Sequence, residues 1–252
     1  MTKNWIYLIP LSAIIIGCGT TDNNDTTNNG EGSIDLRTYL EKEDITKNYQ
    51  IVNKTIGQKI TNQYYSETST VTTDKIERKL EGITTTIINI EEKKLTVTDV
   101  SDEGNIINSF FRHVDLGNNL FSSDINTTEL LKIGDTEVGK RTRVGTNSCK
   151  PIEQLTEFTK DSHSYTGDIL KTECTKKTTI TTKVNSEYIG QVNYINGTED
   201  SVDISYYYQK KDTGLIASIN DDCIPTNMKY PDDTTECSDG NKSYSYIYYL
   251  GN

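Results

Sequence analysis

The sequence predicts a mainly β fold: a single antiparallel meander forming a curved sheet, half-barrel or sandwich, with one or two short helices and two local disulfides. Composition is the first observation behind this. Ala occurs only at 13 and 217, against 16 Tyr and an abundance of Thr, Ile and Asn. Thr, Ile, Val and Tyr suit a pleated, half-buried surface, whereas Ala and Leu favour helices. The second observation is period-two alternation of apolar and polar residues, the mark of strands with one wet face. The third is regular punctuation by turn residues, at "DEGN" (102–105), "GNN" (117–119), "NGTED" (196–200) and "KKDTG" (210–214). Tight connections make neighbours antiparallel, because parallel strands need long crossovers.

The alternation places individual strands. "KLTVTDV" (94–100) sets Leu95 and Val97 on one face and Thr96 and Thr98 on the other. "VDISYYY" (202–208) groups Val202, Ile204, Tyr206 and Tyr208 opposite Asp203 and Ser205, and "YSYIYYL" (244–250) lines up Tyr244, Tyr246, Tyr248 and Leu250. Two stretches read as helical. "SIDLRTYLEKED" (33–44) has Ser33 as a cap with Leu36, Tyr39 and Leu40 on one side, and "NTTELLKIG" (126–134) offers another turn or two. Hydrophobic residues make up 33% of the chain, against roughly 45–50% apolar (counting Gly) in an average domain, so the core is expected to be thin or one-sided. Residues 34–252 show no break in composition and read as one β domain, with a disulfide-braced C-terminal part from 149 to 252.

The N-terminus has a different character. "MTKNWIYLIPLSAIIIGC" carries one cation, Lys3, and then an apolar run too short for the roughly 20 residues of a membrane-spanning helix. Its length and flanks are those of a secretory signal over residues 1–17. The run ends in Ile15-Ile16-Gly17-Cys18. Here the chain resembles bacterial lipoproteins, whose signal ends in a lipobox of this pattern. The resemblance implies that Cys18 becomes the first residue and is acylated, anchoring the protein in a membrane. Multiple acyl chains give stable anchoring where one does not. Gly19 in place of Asp implies delivery to the outer membrane, on its periplasmic or its surface side. Residues 18–33, "CGTTDNNDTTNNGEGS", bury almost nothing and read as a flexible tether.

The formal net charge is −11, and loss of residues 1–17 removes one cation and no acid. So acidic a chain is repelled by phosphate backbones, which excludes nucleic acid as an expected partner. The four remaining cysteines, Cys149, Cys174, Cys223 and Cys237, form an even set, which in an exported chain reads as two disulfides. Three pairings are possible, and Cys149–Cys174 with Cys223–Cys237 closes the two most local loops. A zinc site is the rival, but the chain has no CxxC pair and both histidines lie elsewhere.

No GxSxG, HExxH, P-loop or GxGxxG motif is present, so catalysis is not expected and no cofactor is implied. His113 in "FFRHV" reads as a half-exposed strand residue and His163 in "DSHSY" as a loop residue. In "NDDCIPTNMKYPDDTTECSDG" (220–240), the carboxylates of Asp221, Asp222, Asp232, Asp233 and Glu236 have the hardness Ca²⁺ requires, but the ordered spacing of a calcium loop is missing. A solvated acidic loop is the plainer reading. "DVSDEGNIINSF" (99–110) begins like an EF-hand loop yet ends in Phe110, where a bidentate Glu is needed, and reads as a β-turn. Tyr206, Tyr208, Tyr244, Tyr246 and Tyr248 form a candidate ligand surface, since Tyr gives rigid amphipathic contact area. Cross-strand packing is the alternative. Asn24, Asn126 and Asn241 sit in Asp-x-Asn-x-Ser/Thr segments, which resemble the acceptor of bacterial N-glycosylation. "ISYYYQKKDTGLIASINDDC" (204–223) resembles a hairpin of half-barrel lipoprotein-carrier-like exported proteins, and implies a curved sheet.

Together these features predict a lipid-anchored envelope protein acting by binding, with an envelope or extracellular protein as partner. A half-barrel carrier of a lipid or other apolar ligand is the first alternative. A hydrolase of envelope polymers is the second; it requires a buried carboxylate or His with a partner in a cleft.

Overall fold

A computed structural model describes residues 33–54, 60–100, 106–191, 196–222 and 243–251. The chain is mainly β and antiparallel, as its composition predicts. It opens with β1 (Ile34–Asp35) and continues through β2 (Ile45–Lys54), β3 (Thr61–Val71), β4 (Lys75–Leu80), β5 (Ile83–Ile90), β6 (Lys94–Asp99) and β7 (Ile106–Phe111). After the short β8 (His113–Val114) come β9 (Phe121–Ile133), β10 (Thr136–Lys160), β11 (His163–Val184), β12 (Gly197–Lys210), β13 (Gly214–Asp222) and β14 (Ser243–Tyr249). Each strand of β2–β7 and of β9–β14 pairs with its neighbour in sequence, and β14 pairs with β2, joining the two meanders into one twelve-stranded sheet. The sheet curls into a nearly closed barrel whose two edges are β7 and β9. Among the described residues no ladder crosses that seam. Phe110 of β7 and Phe121 of β9 meet edge to face across it, ring centres 5.7 Å apart.

Cross-strand partners in an antiparallel ladder point to the same side, so the register assigns every inward residue. Along the barrel the buried positions follow that face: Tyr49 opposes Tyr65, Ile76 opposes Ile88, Val97 opposes Asn108, and Cys149 opposes Cys174. One end of the interior is packed by Ile76, Ile88, Leu95, Val97, Phe110 and Phe121, with Leu40 closing it from the N-terminal segment. The Cys149–Cys174 disulfide lies in this core. Cys223 and Cys237 lie outside the described residues.

Two glycines on β10 let the wall bend. A Cβ at Gly139 would run into the Lys183 carbonyl, and one at Gly145 into the Lys177 carbonyl. Strand glycines commonly mark such bends, where backbones approach too closely for a side chain.

Three expectations need correction. The segment 126–134 is not helical: residues 126–133 are the second half of β9, and Gly134 begins the turn into β10. Leu130 is exposed and its neighbour Leu131 buried, a period of two, and β-branched Thr127 and Thr128 pair with β10. The helix expected over 33–44 shrinks to one 3-10 turn, Leu36–Tyr39, because Ile34 and Asp35 are drawn into pairing with Val114 and His113. Asp35 caps it, accepting from the Arg37 amide, while Ser33 donates to the Asp115 carboxylate instead. A second 3-10 turn, Ser186–Tyr188, follows β11.

The third correction concerns β12. Val202, Ile204, Tyr206 and Tyr208 do share a face, but register places it on the outside of the barrel, and Val202 is 57% exposed. Ser205 and Tyr207 pair with Cys174 and Thr172 on the inside. The polar positions of this strand are the inward ones.

Candidate functional site

The tyrosines singled out in the sequence lie on the outer face of β12–β14, where the protein itself covers part of them. Strands β10 and β11 run on beyond the barrel, and bulges between Pro151 and Glu153 and between Leu155 and Glu157 bend the hairpin. Its tip lies against the tyrosines as a strap. Phe158 stacks on Tyr208 with ring centres 3.7 Å apart, and His163 stacks on Tyr248 at 4.1 Å. The Tyr248 hydroxyl donates to Asp161 Oδ2 at 2.7 Å, and the Tyr165 hydroxyl donates to the Tyr249 carbonyl at 2.8 Å. Lys160 Nζ sits 4.6 Å from the Tyr246 ring centre, and Tyr244 stacks on Tyr246. Lys171 Nζ stands 5.0 Å from the Tyr206 ring. Burial lowers the His163 pKa, partly offset by Asp161.

The more informative groups face inward. At the end of the N-terminal segment, Glu41 enters the barrel and is wholly buried. Its Oε1 accepts from Lys47 Nζ of β2 and its Oε2 from Arg78 Nη2 of β4, the latter at 3.0 Å. Arg37 Nη1 donates to the Glu41 carbonyl, and Glu41 bridges to Thr213. Gly214 takes a positive φ of 80° here, and a Cβ on it would stand 2.6 Å from Glu41 Oε1. A second buried acid, Glu67 of β3, completes the group, with Lys47 Nζ 3.8 Å from its Oε1.

The two acids respond differently to the same surroundings. Burial pushes the Glu41 carboxyl up, but the Arg78 and Lys47 charges outweigh it and hold the pKa down at about 2. Burial also pushes Glu67 up, and there Arg78 and Lys47 offset it only in part, so its pKa stays above the ordinary range. Burial likewise raises Tyr49 and Tyr65, which stack at 5.1 Å beside the acids.

Several inward polar atoms are buried without a protein hydrogen-bond partner. On β3 and β4 they are Tyr65 Oη, Glu67 Oε1, Ser69 Oγ and Arg78 Nε. Across the barrel they are both amide atoms of Asn108, Ser123 Oγ and Thr172 Oγ1. Asn108 and Ser123 each stand one inward position beyond Phe110 and Phe121, so they flank the seam at one level. A buried polar group left unmatched costs about 1–3 kcal/mol, and native proteins keep such groups few. Here seven residues from both halves of the sheet turn such atoms toward one interior.

Sequence reasoning missed this site, although a signal was present. In "TKNYQI", "YSETSTV" and "IERKL" a charged residue falls in phase with apolar ones, at Lys47, Glu67 and Arg78. In-phase charge on an otherwise inward face marks a buried polar group. Elsewhere, His113 is partly buried with Nε2 3.8 Å from Asp35 Oδ2, and Asp35 is gripped at both oxygens by Arg112. Asn126 is exposed in mid-strand on β9. Asp221 and Asp222 end β13, while Cys18, Asn24, Asp232, Asp233, Glu236, Asn241 and the "DEGN" turn lie outside the described residues. Among the described residues no group of three or more His, Cys, Asp or Glu is placed to hold a metal, and no helix is long and apolar enough to cross a membrane. Comparison with known proteins returns no matching family model, curated protein or solved structure.

Proposed function

We propose that this chain is an exported, lipid-anchored, non-catalytic binding protein that holds a small polar ligand inside its barrel. The observation that carries the reading is the set of buried inward polar atoms with no hydrogen-bond partner in the protein, drawn from Tyr65, Glu67, Ser69, Asn108, Ser123 and Thr172. A ligand supplying hydrogen bonds would satisfy them, whereas an acyl chain would leave them unmatched at about 1–3 kcal/mol for each group. The apolar end of the interior is packed by the protein's own side chains. An apolar cargo is therefore the poorer match. Hydrolysis of envelope polymers is disfavoured for another reason: the buried carboxylates, Glu41 and Glu67, are out of reach of a polymer chain, and Glu41 has both oxygens engaged by cations.

The anchor rests on Ile15-Ile16-Gly17-Cys18 and the address on Gly19. Native mass spectrometry of the chain, gently extracted from membranes, tests the ligand reading. The expected result is a noncovalent small-molecule adduct lost on denaturation. A chain free of adduct in every charge state counts against it, and copurified lipid would favour the apolar carrier. Labelling with radioactive palmitate tests the anchor: the parent should label and Cys18→Ser should not.

A further inference from the structure

The polar row on β3 carries enough chemistry to name a ligand class; the inference rests on the reading above. Tyr65, Glu67 and Ser69 occupy alternate positions, so their side chains project into the barrel about 6.6 Å apart along the strand. Arg78 is the direct register partner of Ser69. Tyr65 Oη and Ser69 Oγ can each donate and accept, Glu67 Oε1 accepts, and Arg78 Nε donates. All four atoms are buried and make no hydrogen bond within the protein, and Glu67 Oε1 faces only the Lys47 ammonium, 3.8 Å away.

Charge then narrows the class. Glu41 engages both Lys47 and Arg78, and Glu67 is the counter-charge that makes the four-residue group neutral. A cationic ligand would have to share Glu67 with Lys47. An anionic one would meet a guanidinium already engaged by Glu41 and would lie against Glu67. A net charge added to a buried neutral group is costly, because burial penalises an unmatched ion. An uncharged ligand rich in hydroxyls avoids both conflicts, since each hydroxyl can donate to Glu67 or Ser69 while accepting from Arg78 Nε.

We propose that Tyr65, Glu67, Ser69 and Arg78 bind a small neutral polyhydroxyl compound, a sugar or cyclic polyol, within the barrel. The test uses the full chain in a detergent without a sugar headgroup. Saturation-transfer NMR and calorimetry are run with glucose, maltose and myo-inositol, and with putrescine and inorganic phosphate as charged controls. At least one polyol should bind and neither control should. Tyr65→Phe and Ser69→Ala each delete one hydroxyl that lacks a protein partner, so the free variants should melt with or above the parent. Each should bind the polyol about three- to tenfold more weakly, the loss of one hydrogen bond. Absence of polyol binding, variants that bind like the parent, or binding of putrescine or phosphate that these variants weaken would each overturn the proposal. A native-mass adduct alongside failed polyol binding would sink the ligand class while leaving the interior-binding reading intact. Neither adduct nor binding would sink both.

Discussion

Replacing Glu41 by Gln removes the anion that Lys47 and Arg78 share. Both cations are buried, and Glu67, 3.8 Å from Lys47, is the acid left to face them. Removing one partner of a buried ion pair costs about 3–5 kcal/mol, because the other charge is left uncompensated. That is a large part of the roughly 5–15 kcal/mol that stabilises a typical domain. At about 2–4 °C per kcal/mol for a chain of this size, Tm should fall by about 6–20 °C. The pH dependence gives an independent check. With Glu41 held down at about 2, its contribution is complete above the ordinary Glu range and is lost as pH falls toward 2. Glu41→Gln should therefore flatten the acid-side decline in stability as well as lower the plateau. Glu67 works with the opposite sign. Its pKa is raised, so it favours the folded state most below the ordinary Glu range and loses that advantage as pH rises through its own pKa. Glu67→Gln should consequently destabilise much less than Glu41→Gln. Urea unfolding followed by far-UV circular dichroism, repeated between pH 3 and 8, reads all three quantities. A Glu41→Gln chain within about 1 kcal/mol of the parent, with an unchanged acid limb, would refute a locking role for this group.

Four further outcomes follow from the packing. The double variant Cys149→Ala/Cys174→Ala, which frees a loop with a sequence separation of 25, should lose about 3 kcal/mol in chemical denaturation; an unchanged midpoint would mean that strand pairing alone sets this level of the barrel. Phe158→Ala removes the ring stacked on Tyr208 and should release the strap, seen as faster amide exchange over residues 155–166 while β2–β6 stay protected. The same release should set in for the parent as pH falls below the ordinary His range. The His163 pKa is lowered by burial, so its contribution is present above that range and lost on acidification; exchange that is flat from pH 7 to 5 would contradict this. Gly145→Ala forces a Cβ against the Lys177 carbonyl and should destabilise the barrel more than Ala at the exposed turn Gly117, where the added carbon meets nothing but the positive φ is strained.

Strands were legible wherever apolar and polar residues alternate against water. Leu95 and Val97 turn inward as "KLTVTDV" implies, and Cys149 pairs with Cys174, the more local of the choices open to it. The same rule misled on β12, because it equates an apolar face with an inward one. In this barrel the interior is partly polar, so Ser205 faces in and Val202 and Ile204 face out. It misled again over 126–134, where two adjacent leucines suggest one side of a helix until Leu130 pairs with Lys140 and Leu131 with Gly139, which sets them on opposite faces of a strand. Closure could not be read at all. It depends on Tyr246 meeting Val52 and Tyr248 meeting Gln50, pairs almost two hundred residues apart in sequence, and no local pattern encodes such a register. The buried row was half visible: Lys47, Glu67 and Arg78 each fall in phase with apolar neighbours, yet phase alone does not separate a buried ion from an edge residue on a solvated strand. What separates them is the partner. Pairing of β2, β3 and β4 sets Lys47 opposite Glu67 and Arg78 opposite Ser69, and Glu41 joins them from the N-terminal segment. The charge group is therefore built by neighbouring hairpins plus one acid from outside them, and the sequence pattern of each strand alone shows only its own member.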